Sequence, residues 1–171
     1  AGLSTKAIKT RIKSMQSTRQ ITKAMELVAA SKLRSAQAKA ISSRPYFQTL
    51  YAAMDEIADT NNDFTSPYLH ANPNGKPAYV VIAGDRGLAG GYNNNVLKLA
   101  FRQMPQDAVV LPIGKKTVEF FQHRSCEILT EEYREAASVS IGDCYSIAKL
   151  VADGFLDKTY QNVVLVYTNF V

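Results

Sequence analysis

The sequence predicts an α/β protein: a long N-terminal helix, then a mostly parallel sheet of about four strands with helices on both faces. Three observations predict it. The first fifty residues are a helix-forming run with no glycine from Leu3 to Leu50 and Pro45 as its only proline. A stretch rich in Asn, Pro and Gly follows it. Beyond Pro77, short apolar runs alternate with amphipathic segments, the pattern of strands joined by helical crossovers. The expected organisation is a helix over 1–60, a linker over 61–76 and an α/β unit over 77–171 that stops short of its full sheet.

The helix opens at Ser4 or Thr5, both good N-caps. Its apolar positions Ile8, Ile12, Met15, Ile21, Met25 and Val28, with Thr18 bridging the gap, are spaced by three and four like a coiled-coil seam. The pattern resumes after Pro45, which bends or stops the helix because it removes the bond to the Ile41 carbonyl, and runs to about Ile57. Such a helix reaches about 80 Å, too long to bury its stripe on a domain of this size. It therefore buries that stripe on something else.

Charge is divided the same way. Residues 1–50 hold ten Lys/Arg and one acid, Glu26, whereas residues 51–171 hold ten Lys/Arg and fourteen acids. A basic helix suits nucleic acid, an anionic membrane or an acidic protein surface. The first forty-five residues contain no aromatic side chain to stack on bases. The helix also offers mainly alanine and a thin Ile/Met seam where a membrane anchor wants bulk. A coiled-coil strand passing acidic partner surfaces fits best. No segment has the ~20 apolar residues of a bilayer span, and the N-terminus lacks the apolar core of a signal peptide.

The α/β unit reads as Rossmann-like. Strands are expected at Ala78–Ala83 (AYVVIA), Ala108–Ile113, Cys126–Thr130 and Asn162–Tyr167. Helices are expected to Gln103 with Asn93 or Asn94 as the cap, over Lys115–His123, and from Ile141 or Gly142 to Leu156, the last with Ile147, Leu150, Val151 and Phe155 on one side.

The loop GDRGLAGGYNNN, from Gly84, lies where open α/β sheets bind phosphates. Its glycines at 84, 87 and 90 are spaced G-x-x-G-x-x-G rather than G-x-G-x-x-G, Asp85 sets a negative charge beside any phosphate, and no P-loop motif occurs. A tight turn exposing Arg86 to a partner is the reading, with nucleotide binding by a helix-armed α/β protein as the alternative. Glu131, Glu132 and Glu135 read as a solvated face. His70 and His123 read as surface residues, and Cys126 and Cys144 as small buried residues in a reducing compartment. No catalytic set, metal site or cofactor site is expected.

The run IKTRIKSMQSTRQITKAMELVAASKLRSAQ, Ile8 to Gln37, and the loop DRGLAGGY, Asp85 to Tyr92, resemble the γ subunits of F-type ATP synthases. The likeness extends over the whole chain and is strongest at 8–46 and 78–97. The family usually has cysteine where this chain has Ala89. The resemblance implies a non-catalytic rotor shaft at a membrane periphery (the cytoplasmic face in bacteria, the matrix or stromal face in organelles) that couples proton or sodium flow to ATP synthesis at the β subunits. It implies as partners the α and β subunits, ε (δ in mitochondria), the membrane c-ring and a C-terminal helix of the same subunit, beyond this chain. It places Ile21, Thr22, Lys23, Met25, Glu26 and Arg86 against the α/β ring. With that C-terminal helix missing, the seam is expected to self-associate or pair with a neighbouring molecule.

Overall fold

The computed structural model describes residues 4–60 and 65–170, and the chain divides into two compact units, residues 1–64 and 65–171. Asn61 and Asn62 of the expected linker lie outside the described residues.

In the first unit, α1 (Thr5–Thr60) is one α-helix of 56 residues. Ser4 is its cap: its hydroxyl oxygen accepts from the Ala7 N–H at 3.3 Å, and its carbonyl from the Ile8 N–H at 3.1 Å. Pro45 does not stop the helix. Around it, the Ser42 and Ser43 hydroxyls donate to the Lys39 and Ala40 carbonyls, and Thr49 donates to the Pro45 carbonyl, each at 2.9 Å. Upstream, Thr10, Thr18 and Thr22 bond back one turn in the same way. These hydroxyls are satisfied by their own helix.

The second unit holds a four-stranded sheet in the order β3-β2-β1-β4, made of β1 (Lys76–Ile82), β2 (Val109–Ile113), β3 (Glu127–Ile128) and β4 (Tyr160–Val166). Every pairing is parallel. The connecting helices are α2 (Tyr92–Gln103), α3 (Lys115–Gln122) and α4 (Ile141–Leu156). Strand order runs outward from β1 through β2 to β3 and then returns to β4. Right-handed crossovers therefore put α2 and α3 on one face and α4 on the other.

The packing agrees. Val96, Leu97 and Ala100 of α2 and Phe121 of α3 pack with Tyr79, Val81 and Val110. Ile147 of α4 packs with Val80, Leu111 and Ile113. The alternation along β1 divides its side chains between the two cores. Polar groups drawn inside are satisfied: Thr117 donates to the Ile113 carbonyl at 2.8 Å and Tyr79 to the Gln103 carbonyl at 3.2 Å.

Several boundaries differ from the sequence expectation. β1 starts at Lys76, which pairs with Tyr160 and forms an ion pair with Glu127 at 2.6 Å. Asn72, expected in the linker, is already tied to this unit: its side-chain N–H₂ donates to the carbonyls of Phe155 (2.8 Å) and Tyr160 (2.9 Å). β3 shrinks to two residues paired with Val109 and Val110. Pro112 therefore sits where β2 has a strand neighbour only at β1, so no outer ladder is broken.

On α4, Ile147 and Phe155 are buried and Val151 half-buried, but Leu150 is exposed, which corrects the expected stripe. Cys144 is also exposed and Cys126 only partly buried, so neither is the buried residue expected. Gly154 lets Tyr160 pack close, since a Cβ there would lie 2.2 Å from the Tyr160 ring.

Candidate functional site

Two surfaces stand out, one on each unit. On α1 the apolar positions expected in the seam are all exposed: Ile8, Ile12, Met15, Ile21, Met25 and Val28 lie between 45% and 70% accessible. At about 100° per residue, Ile8, Ile12 and Met15 fall within one narrow arc. Ile21, Met25 and Val28 fall within another, rotated by roughly 140° from the first. The stripe thus winds steeply round the helix, as spacings averaging below 3.5 require. Arg11, Gln16 and Arg19 line a shallow groove with the first apolar set.

The expected ring-contact residues of α1 do not share one face. Ile21 and Met25 share an arc; Thr22 and Glu26 lie beside it, and Lys23 projects to roughly the opposite side. Ile21 and Met25 thus belong to both expected sets, the seam and the ring contacts, while Lys23 lies on the opposite side of the helix from them. A further stripe lies beyond Pro45: Phe47, Leu50, Met54 and Ile57, between 43% and 56% accessible. Its signal was the repeat of three and four after the proline. Here the charge reverses, since residues 46–60 contain Asp55, Glu56 and Asp59 and no Lys or Arg.

The second surface is the loop after β1. Asp85 holds it from below. One carboxylate oxygen accepts the Lys115 N–H at the head of α3 (3.1 Å) and the Ala136 N–H (2.8 Å), and the other accepts the Ala137 N–H (3.2 Å). Asn93 closes it from the other side: its carbonyl oxygen accepts the Gly84 N–H at 2.7 Å and its N–H₂ donates to the Arg86 carbonyl at 2.9 Å. Neither Asn93 nor Asn94 is the cap of α2. That position is Gly91, which makes no side-chain cap bond.

Gly114 completes the floor. At φ 98° it sits so close to the Ala83 carbonyl that a Cβ would lie 2.1 Å from the oxygen. The Asp85 carboxylate occupies the head of α3, the place an anion would take. Above this brace Arg86 is exposed, and Leu88 is fully exposed at φ 58°. Left-handed backbone in a leucine costs about 1–2 kcal/mol.

No group of His, Cys, Asp and Glu among the described residues could hold a metal ion. Glu131 and Glu132 are exposed, as expected, with Glu131 bonded to Arg134 and Gln122. Burial raises the Cys126 thiol pKa, with the nearby Arg124 opposing it, so this thiol is not primed as a nucleophile.

A family model described as ATP synthase matches residues 4–171. The chain is 41% identical to the ATP synthase gamma chain of Ruminococcus albus, over 97% of this chain and 60% of that protein. It is 40% identical to the ATP synthase gamma chain of Lachnoclostridium phytofermentans, over 95% of this chain and 57% of that one. Against the protein of Acetobacterium woodii named "ATP synthase gamma chain, sodium ion specific" it is 36% identical, over 96% and 55%. It thus spans about 60% of the length of these relatives. A match reaching from Ser4 across both units, with relatives that share one name, makes the conclusion direct: this chain belongs to the ATP synthase family, among the gamma chains.

Proposed function

We infer that this chain carries the shaft helix and the α/β unit of a non-catalytic central-stalk rotor subunit of an F-type ATP synthase. In this reading rotation couples proton or sodium movement through the membrane ring to ATP synthesis or hydrolysis on the β subunits. The observation that carries the reading is α1: 56 residues of continuous helix, about 84 Å long, with its large apolar side chains turned outward. A stiff rod of that kind has meaning only inside something else. Family membership supplies the assembly.

The partners proposed are the α and β subunits around α1, ε (δ in mitochondria) and the c-ring around the α/β unit, and the subunit's own C-terminal helix along the seam. The basic outer surface of α1 suits a shaft that turns. Exposed ion pairs are each worth only about 0–1 kcal/mol, so contacts with an acidic sleeve hold no single angle strongly. The subunit would sit at the membrane periphery. Among the described residues no helix is long and apolar enough to cross a bilayer.

The test is assembly of the full gamma chain with α and β on the ion-translocating ring in sealed vesicles. ATP hydrolysis should drive ion pumping only when the gamma chain is present. Pumping of equal rate without it would overturn the reading. For the chain studied alone, light scattering should show association through the exposed seam. A strict monomer at all concentrations would remove that part.

A further inference from the structure

We propose that Asn72 and Tyr68 form a load-bearing clamp. They fasten the segment leaving α1 to the corner between α4 and β4, so that torque between the shaft helix and the α/β unit passes through a short tether. Both are positioning residues. This deepens the rotor reading and rests on it.

The composition of residues 61–76 is that of a loop connection, yet from Ser66 onward the segment is fastened. Two turns shape it: the Leu69 N–H donates to the Ser66 carbonyl and the Gly75 N–H to the Asn72 carbonyl, each at 3.1 Å. In each turn a proline, Pro67 or Pro73, presets the backbone at the second position. Asn72 then bonds to one corner of the fold. Its side-chain N–H₂ reaches the Phe155 carbonyl near the end of α4 and the Tyr160 carbonyl at the start of β4. Its backbone N–H donates to the Gln161 carbonyl at 2.9 Å. Gln161 is an extra residue of β4, because the register passes from Lys76 opposite Tyr160 to Pro77 opposite Asn162. A bulged residue is left unpaired by its ladder, and Asn72 supplies the partner. Gly75 lets the segment lie directly on this corner, since a Cβ there would be 2.5 Å from the Gln161 nitrogen. On the α1 side of Asn72, the Tyr68 ring stacks on Phe155, with centroids 6.0 Å apart and planes 20° from parallel.

The clamp adds little to the core, for Tyr68 is 56% accessible. What it changes is the free length of the connection. From Thr60, where α1 ends, the chain to Tyr68 reaches at most about 28 Å, whereas a segment free as far as Lys76, at the head of β1, would reach about 56 Å. A flexible connection twice as long has about twice the mean-square extension, and it is softer in proportion. The clamp also spreads the load. A pull from α1 meets α4 and β4 before it meets Lys76, whose N–H bond to the Thr159 carbonyl (3.0 Å) closes the corner behind it.

The first test uses this chain, with nitroxide labels on Cys144 and on the cysteine introduced by Glu56→Cys, in a Cys126→Ala background. Pulsed electron spin resonance then gives the distribution of distances between them, with unlabelled chain added to remove distances between molecules. Tyr68→Ala frees the tether as far as Asn72 and should raise the variance about 1.5-fold; Tyr68→Ala with Asn72→Ala frees it to Lys76 and should raise it about twofold. Asn72→Asp in place of Asn72→Ala keeps the shape without the side-chain donors and should match it. Ser140→Ala, which weakens the same unit elsewhere, should leave the distribution unchanged. The second test uses the full gamma chain in the α/β ring, with a bead on the α/β unit. At a fixed catalytic dwell the double variant should widen the angular fluctuation of the bead at an unchanged rate of ATP hydrolysis. Unchanged distances in the double variant, or equal broadening by Ser140→Ala, would overturn the clamp. Broadened distances without wider angular fluctuation would overturn its load-bearing role and leave the rotor reading standing. Absence of rotation with the unaltered gamma chain would overturn the rotor reading itself.

Discussion

Phe121 on α3 and Met25 on α1 are both large apolar residues on helices, and they stand in opposite surroundings. Phe121 is fully buried between α3 and the sheet, whereas Met25 is 55% accessible. The contrast holds for the units that contain them. In the α/β unit apolar residues fill two cores, one on each face of the sheet. In the helical unit the apolar stripe stays exposed. The same chemistry therefore stabilises the fold in one unit and stays in solvent in the other. A side chain cannot contribute its full burial free energy to both.

The sharpest way to break this comparison is truncation on each side of it. Phe121→Ala should cost about 3–5 kcal/mol of stability, the range for a large aromatic removed from a core. Met25→Ala should change the stability of the α/β unit by less than about 0.5 kcal/mol. Denaturant unfolding followed at the aromatic residues of the α/β unit measures both. Comparable losses would mean that the helix stripe is already satisfied within this chain. Native-state hydrogen exchange sharpens the same point, because amides of α1 should exchange through local opening while those of β1 and β2 wait for global unfolding.

How far the sequence revealed this depended on the range of the interaction. The run AYVVIA was legible as a buried strand because both faces of β1 are covered, leaving an unbroken apolar signal. The long helix was legible from its lack of glycine. Leu150 was misplaced because a stripe spaced by three and four is wider than the surface that covers it. It lies about 100° round the helix from Val151, so that Ile147, Val151 and Phe155 take the sheet and Leu150 takes the solvent. Asp85 was read as a charge beside a possible phosphate. Its partners are Lys115, Ala136 and Ala137, and nothing in the spacing of a single chain announces such long-range bonds. Asn93 misled for a related reason. Three consecutive asparagines each offer a cap, and only the folded loop selects Asn93 as its latch.

Smaller effects test the packing of α4. Gly154→Ala drives a methyl into the Tyr160 ring and should cost about 1–3 kcal/mol, the range for overpacking. No shift in the denaturation midpoint would mean that Tyr160 has room to swing aside. At the other end of the same helix, Ser140 is the cap. Its hydroxyl oxygen accepts the Asp143 N–H at 3.2 Å, and the Asp143 carboxylate accepts the Ser140 N–H at 2.7 Å. Ser140→Ala should cost roughly 1 kcal/mol, readable in the same unfolding experiment.

The same capping box yields the smallest effect, one that depends on pH. The Ser140 backbone N–H, and after it the Ser140 hydroxyl, hold the Asp143 carboxyl below its ordinary value of 3.8. A carboxyl lowered on folding binds fewer protons in the folded state than in the unfolded one. Its contribution is therefore fully present above the unfolded value and is lost as pH falls through the lower folded value. Glu119, held down chiefly by its bond from Lys116, and Asp157, held down chiefly by Thr159, titrate in the same direction. The acid limb of the stability curve is thus shared. Asp143→Asn should leave that limb in place but make it shallower, its deficit relative to wild type being constant above about pH 5 and shrinking as pH falls through the acid side. A difference that persists in slope up to neutral pH would show that α4 is coupled to some other titrating group. An unchanged acid limb would show that the Ser140–Asp143 bond gives way in solution before the helix does.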